Sequence, residues 1–262
     1  MTDYTAVTEM PGNLVTKQAI QMIQTRYSVA LRYCEGKNVL EVGCGAGQGL
    51  GWMAGSAQRV VGEDFTRSIA VAAHEHYRGR APIVQLDAHS LPFRDHSFDT
   101  IVLFEAIYYL ERPDLFLQEC RRVSGSGGVV VLCSANKECA DFNPSPRSTS
   151  YLSASELFAL FTSNGYETQI YCTFPVQGRS VSARAISLVK RAAVKLNLVP
   201  QSMKGKEWLK RVFYGELFPL PAELEGHADK ETCLVPIFAV ESSSAYKALY
   251  AIGHLPGCGN ME

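Results

Sequence analysis

The sequence predicts an α/β protein with a doubly wound, mostly parallel sheet, on three observations. The apolar run Val39-Leu40-Glu41-Val42 turns abruptly into Gly43-Cys44-Gly45-Ala46-Gly47-Gln48-Gly49, and Leu50, Trp52 and Met53 then open a helical pattern. Further short apolar runs at 59–64, 83–86, 98–104 and 129–133 alternate with segments of helical periodicity. Several of these runs are continuously apolar, as strands covered on both faces are.

The glycine loop sets the functional expectation. A buried strand feeding a tight loop and a helix N-terminus cradles nucleotide-like ligands, and glycine there permits positive φ and close approach. Glycine also ends strands for purely structural reasons. The spacing adds weight, because Asp64 follows Gly43 by 21 positions at the end of the second strand. An acid so placed accepts the ribose hydroxyls of an adenosine, in nicotinamide dinucleotides or in S-adenosylmethionine. The dinucleotide rhythm G-x-G-x-x-G fails at Gln48, and the glycines fall instead at 43, 45 and 47 behind Glu41.

Glu41-x-Gly43-x-Gly45-x-Gly47, then Asp64, then Asp87-Ala88-His89-Ser90-Leu91-Pro92-Phe93, then Ser97-Phe98-Asp99 resembles the class I S-adenosylmethionine-dependent methyltransferases. The resemblance covers residues 37–135 in order. It implies a seven-stranded Rossmann-like methyltransferase sheet whose last strand returns antiparallel, and S-adenosylmethionine as cofactor, with S-adenosylhomocysteine as product. It places Glu41, Gly43, Cys44, Gly45, Gly47, Asp64, Phe65, Asp87, Ala88 and Glu105 around that cofactor. The activity implied is in-line methyl transfer to a small-molecule acceptor. Two other readings are a nicotinamide-dependent oxidoreductase, disfavoured by Gln48 and the Asp87 motif, and a cofactor-binding protein without turnover.

Bulk properties narrow the partners. A net charge of −1 over 262 residues gives no whole-chain attraction to nucleic acid or acidic lipid, and no nucleic-acid-binding module is recognised. No apolar run approaches the ~20 residues that span a bilayer. No basic-then-apolar leader precedes the first motif, so a cytoplasmic protein is expected. The eight cysteines form no C-x-x-C pair and no zinc spacing, so free buried thiols and no metal site are expected.

The elements follow in order. Residues 1–13 are polar, with Pro11-Gly12, and read as an arm; Tyr4, Thr8 and Glu9 are candidates for a lid. A helix is expected over 17–33 from Ile20, Ile23, Tyr27, Ala30 and Leu31. In the family such a helix closes over the methionine end of the cofactor, so Arg26 or Tyr27 meets its carboxylate, or the helix merely docks with Arg26 in solvent. Thr66 is the expected N-cap of a helix to Tyr77. His74 and His76 share no helical face and are expected in solvent. His89 belongs to the cofactor's surroundings. Asp99, at the start of the fourth strand, is structural, whereas Glu105 lies past its ligand-facing end. Tyr108 and Tyr109 form an aromatic wall for a cationic methyl donor, or ordinary packing. Pro113 opens a helix that Gly125, Gly127 and Gly128 close. A helix over 154–164, a sixth strand over 167–174 and a seventh over 246–253 follow.

The stiff loop at 136–152 offers Asn143, Arg147 and Tyr151 as acceptor contacts, alongside Tyr4, Tyr108 and Tyr109, or is an irregular connection. Residues 175–245 are too many for a turn and are read as a helical insertion or lid. Between 178 and 211 nine basic residues face Glu207 alone, with an apolar stripe at Ile186, Val189, Ala193 and Leu196. A solvated face, a phosphate-reading lid, a lipid contact or a homo-oligomer contact all fit. The divisions are thus 1–36 arm and helix, 37–174 cofactor core, 175–245 insertion, and 246–262 last strand and tail. No general base announces itself; Glu105 and His227 are the candidates.

Overall fold

A computed structural model describes residues 3–176, 216–226, 234–240 and 242–257. The strands are β1 (Leu14–Val15), β2 (Asn38–Val42), β3 (Arg59–Asp64), β4 (Ile83–Gln85), β5 (Phe98–Phe104), β6 (Ser124–Ala135), β7 (Glu167–Pro175), β8 (Phe218–Pro219), β9 (Val235–Pro236) and β10 (Tyr246–His254). The α-helices are α1 (Lys17–Leu31), α2 (Leu50–Ala54), α3 (Arg67–Tyr77), α4 (Pro113–Val123) and α5 (Ala154–Ser163).

The main sheet runs in the order β4-β3-β2-β5-β6-β10-β7-β9. β4, β3, β2, β5 and β6 are parallel, and β10 runs antiparallel between β6 and β7. The seven expected strands are all present. An eighth was not legible, because β9 is two residues long and pairs only with the outer edge of β7. β1 and β8 form a separate two-stranded sheet. The chain builds β2, β3 and β4 in one direction and then crosses to β5 on the other side of β2, which opens a crevice above their C-terminal ends.

Both faces of the sheet are covered. Ile23 and Tyr27 of α1, Leu50 and Met53 of α2, and Tyr77 of α3 pack with Val39, Val60, Val102 and Val131. On the other face Phe116 and Leu117 of α4 and Leu157 and Phe161 of α5 pack with Leu40, Val61, Ile101 and Val130. α4 starts with proline in its first turn beside Asp114 and ends with Arg121 and Arg122, charges that suit the helix dipole. α5 starts with a Ser153–Glu156 capping box.

Several local expectations are corrected. Gly125, Gly127 and Gly128 do not close α4; they lie within β6, where the pairing with β5 shifts register between Phe98 and Thr100. Thr66 occupies the N-cap position, yet its hydroxyl caps no helical amide and instead accepts from Tyr4 N at 3.2 Å. His74 and His76 are exposed as expected, and His76 Nε2 also lies 2.7 Å from Glu223 Oε1. The described parts of 175–245 contain β8, β9 and short 3₁₀ turns; the stripe at 186–196, the basic stretch at 179–211 and any oligomer contact there lie outside the described residues.

Six cysteines (34, 44, 120, 133, 139 and 172) are buried free thiols. Among the described residues no group of three or more His, Cys, Asp and Glu could hold a metal ion, and no helix is long and apolar enough to cross a membrane.

The docking of α1 onto the glycine loop depends on a missing side chain. A Cβ on Gly49 would lie 1.9 Å from the Tyr27 ring. Gly49→Ala should therefore destabilise the protein by about 2–3 kcal/mol through overpacking. Thermal unfolding reads this as a fall of roughly 4–10 °C. Gly55→Ala, whose nearest contact would be 3.4 Å from Trp52 O, should leave the midpoint nearly unchanged.

Candidate active site

The C-terminal ends of β2, β3 and β5 surround a cavity of about 680 Å³. Gly43, Gly45 and Gly47 take φ of 66°, 58° and 84°, values that L side chains rarely adopt. The loop is held by the end of β3. Gly43 N donates to Glu63 Oε1 at 2.9 Å, Cys44 N to Glu63 O at 2.7 Å, and Gly45 N to Asp64 Oδ2 at 3.1 Å. The other Asp64 oxygen accepts from Thr66 N at 2.8 Å.

Of the residues singled out in the sequence, Tyr4, Glu41, Gly43, Cys44, Gly45, Asp64, Phe65, Asp87, Ala88, Glu105, Tyr108, Tyr109, Asn143 and Tyr151 line this one cavity. Gly47 and Arg147 do not. Gly47 faces α3, where a Cβ would meet the Tyr77 ring at 2.7 Å, and Arg147 is exposed. His227 lies outside the described residues. His89 lines the cavity and its ring sits 2.6 Å from Asp87 Oδ1. Asp99 is structural as expected, accepting from Asn38 N at 2.8 Å.

Sequence reasoning underrated two groups. Arg26 is not solvated: its side chain is 17% exposed, lines the cavity and pairs with Glu105 Oε1 at 3.1 Å. A helical register cannot reveal a carboxylate 79 residues away. Glu63 also lines the cavity, and the acidic pair at 63–64 was its only signal.

The carboxyls are differentiated by burial. Burial pushes Glu41 up to about 8, the Tyr27 hydroxyl opposes this, and Asp64 adds to it. The Tyr27 hydroxyl donates to Glu41 Oε1 at 2.7 Å, while Oε2 is buried with no hydrogen-bond partner among the described residues. Burial likewise raises Glu63 well above the usual range, and its Oε2 is also without a partner. Burial raises Asp64, against the pull of the Thr66 and Gly45 amides. Although burial opposes it, hydrogen bonds from the His89 amide and ring hold Asp87 below its ordinary value.

Beyond the cradle the wall is aromatic. Glu105, in the left-handed region at φ 52°, follows β5 directly, with Arg26 on one carboxylate oxygen and the Tyr108 hydroxyl on the other, at 3.0 Å. Three further segments converge here. The arm crosses the loop, with Gln48 Nε2 donating to Glu9 O at 2.8 Å, and Tyr4 sits between Phe65 and Tyr109. Residues 216–226 contribute Leu220, and Leu224 N donates to Gln48 O at 2.7 Å. The 136–152 loop contributes Asn143, Pro144, Ser145 and Tyr151.

Residues 40–132 match the family model of the methyltransferase domain. A probable S-adenosylmethionine-dependent methyltransferase of Mycolicibacterium smegmatis is 34% identical over 145 residues, 52% of this chain and 54% of that protein. Residues 40–132 are a methyltransferase domain. A fatty-acid O-methyltransferase of the same organism is 35% identical to the chain over 120 residues, 42% of this chain and 44% of that protein. The chain spans about half the length of the curated relatives it matches. The crystal structure of the cyclase SpnF shares the fold with a TM-score of 0.59 at 17% identity, over 96% of this chain and 89% of that one. That likeness concerns the fold alone.

The domain's cofactor fits the residues present. Two buried carboxyl oxygens lack partners beside the cavity, and the loop glycines leave backbone open to a ligand. The raised Glu41 value has a measurable consequence. A folded-state value of about 8 against an ordinary 4.5 means the folded protein holds the extra proton, so this carboxyl costs stability progressively as pH rises from about 4.5 to about 8. Glu41→Gln removes that cost while keeping an acceptor for Tyr27. In cofactor-free protein its melting temperature should exceed that of the parent more at pH 8.5 than at pH 5.5, as read by calorimetry.

Proposed function

We propose that the protein is an S-adenosylmethionine-dependent methyltransferase acting on a small-molecule acceptor by in-line displacement. The observation that carries this reading is Glu41: a buried carboxyl with an unpartnered oxygen under the glycine loop of a methyltransferase domain, where a bound cation would offset its burial.

The roles then follow the wall of the cavity. Glu41 receives the cationic amino-acid end of the cofactor. Asp64 receives the ribose hydroxyls through the lone pairs that its two amide bonds leave free. Asp87 and the Ala88 backbone take the adenine, with Phe65 beside it. Gly43, Cys44 and Gly45 provide the close backbone. Glu105 acts as an anchored carboxylate rather than a base, since Arg26 and Tyr108 occupy both oxygens. S-Adenosylmethionine held by these residues would supply an activated methyl group for displacement by an acceptor lone pair, with the sulfur as leaving group.

This chain's own contribution is alignment and exclusion of water, for which effective molarities of ~10⁵–10⁸ M are the relevant gain. The arm and residues 216–226 support a covering role for the 1–36 and 175–245 divisions, because both reach the cavity and the loop. A net charge of −1 supports a small acceptor over nucleic acid, and six buried free thiols support a reducing, cytoplasmic setting.

Calorimetric titration tests the cofactor assignment. S-Adenosylhomocysteine should bind saturably and NADH should not. Asp64→Ala should weaken that binding by roughly 10–100-fold, the loss expected when hydrogen bonds to a charged group worth about 1.5–3 kcal/mol are removed. NADH binding in preference would overturn the reading.

A further inference from the structure

We propose that the acceptor is a neutral, planar aromatic molecule seated against the tyrosine wall; this rests on the methyltransferase reading above. The wall is one connected set of rings. Tyr4 meets Tyr109 at 4.9 Å, Tyr109 meets Tyr108 at 4.6 Å, Tyr108 stacks on Tyr151 at 4.2 Å, and Tyr151 meets Phe142 at 4.6 Å. Tyr4, Tyr108, Tyr109 and Tyr151 line the cavity, and all but the buried Tyr108 are partly exposed.

Three of the four tyrosine hydroxyls of this wall are already engaged. The Tyr108 hydroxyl donates to Glu105, the Tyr109 hydroxyl donates to Ser145 Oγ at 2.8 Å, and the Tyr151 hydroxyl accepts from Ser145 N at 3.0 Å. The rings are thereby fixed in place, and they offer a ligand π-faces and edges more readily than hydrogen bonds. A sugar, whose hydroxyls need many partners, is poorly served. The buried charges of this end are paired with each other. Arg26 is held by Glu105, so a fatty carboxylate finds its cation already occupied and an ammonium finds the buried anion already occupied, while the exposed Glu111 of the lining is screened by solvent and adds little. A planar ring instead gains edge-to-face or offset-stacked contacts from rigid partners that lose little entropy.

Four probes separate the alternatives: 2-naphthol, decanoate, naphthylmethylammonium and methyl glucoside, each titrated by calorimetry into the full chain saturated with S-adenosylhomocysteine. The expected order places 2-naphthol at least ~10-fold tighter than the other three, the factor that one well-placed aromatic contact gives. Tyr109→Ala and Tyr151→Ala should each weaken 2-naphthol by about 10-fold while S-adenosylhomocysteine binds as before, which also verifies their folding. Glu105→Gln should release the Arg26 charge and make decanoate the tighter ligand. Decanoate, the ammonium or the glucoside winning in the parent, or no probe binding, would overturn the aromatic acceptor and leave the cofactor assignment standing. Failure of S-adenosylhomocysteine to bind would overturn both.

Discussion

Three consecutive amides of the glycine loop are claimed by the end of the neighbouring strand, and the rest of the site depends on that clamp. Gly43, Cys44 and Gly45 donate to the Glu63 side chain, the Glu63 carbonyl and the Asp64 side chain. A loop with three positive-φ glycines has little conformational preference of its own, so its shape must be imposed. β3 imposes it through parallel pairing with β2 and then through these acids. The arrangement is costly, because Glu63 is buried and one of its oxygens has no partner among the described residues. A cradle that is incompletely satisfied when empty is suited to gaining from a ligand that completes it.

The second constraint is closure. Segments far apart in the chain meet over the loop: the arm through Glu9, α1 through Tyr27, and 216–226 through Leu224. Gln48 is the common point, donating from its side chain to the arm and accepting at its carbonyl from Leu224. A third dinucleotide-type glycine at that position would have no side chain to hold the arm. The arm and residues 216–226 are also tied to each other, since β1 pairs with β8 and Gly12 N donates to Leu220 O at 2.8 Å.

The two ends of the cavity differ in kind. Among the described residues the end beneath the loop has unpartnered buried oxygens, whereas the end beyond Glu105 has three tyrosine hydroxyls and its buried ion pair engaged within the protein. The strained φ of Glu105 is supported on several sides, by Arg26, by Tyr108 and by its own amide donating to Cys133 O at 2.8 Å. This division explains how one fold hosts different acceptors. On the proposed reading, the part that would meet a constant cofactor lies on strand ends, and the part that would meet the acceptor is assembled from a turn, an arm and a loop.

What the sequence determined by itself was whatever depends on local pattern. Apolar runs and helical periodicity located the seven expected strands and the helices, and glycine and acid spacing located Gly43, Gly45 and Asp64, because these signals arise from the chain's own geometry, whereas Asp87 came from the family resemblance. Boundaries erred where tertiary pairing overrides local preference, as when Gly125, Gly127 and Gly128 joined β6 instead of ending α4. Gly47 carried the right motif, yet Tyr77 occupies the side it faces. Only the tertiary structure decided that Arg26 meets Glu105, that Glu63 clamps Gly43, and that Tyr4 joins a wall built from 108, 109 and 151. Those contacts join residues separated by up to about a hundred positions or more, and no short-range pattern encodes the packing that brings them together.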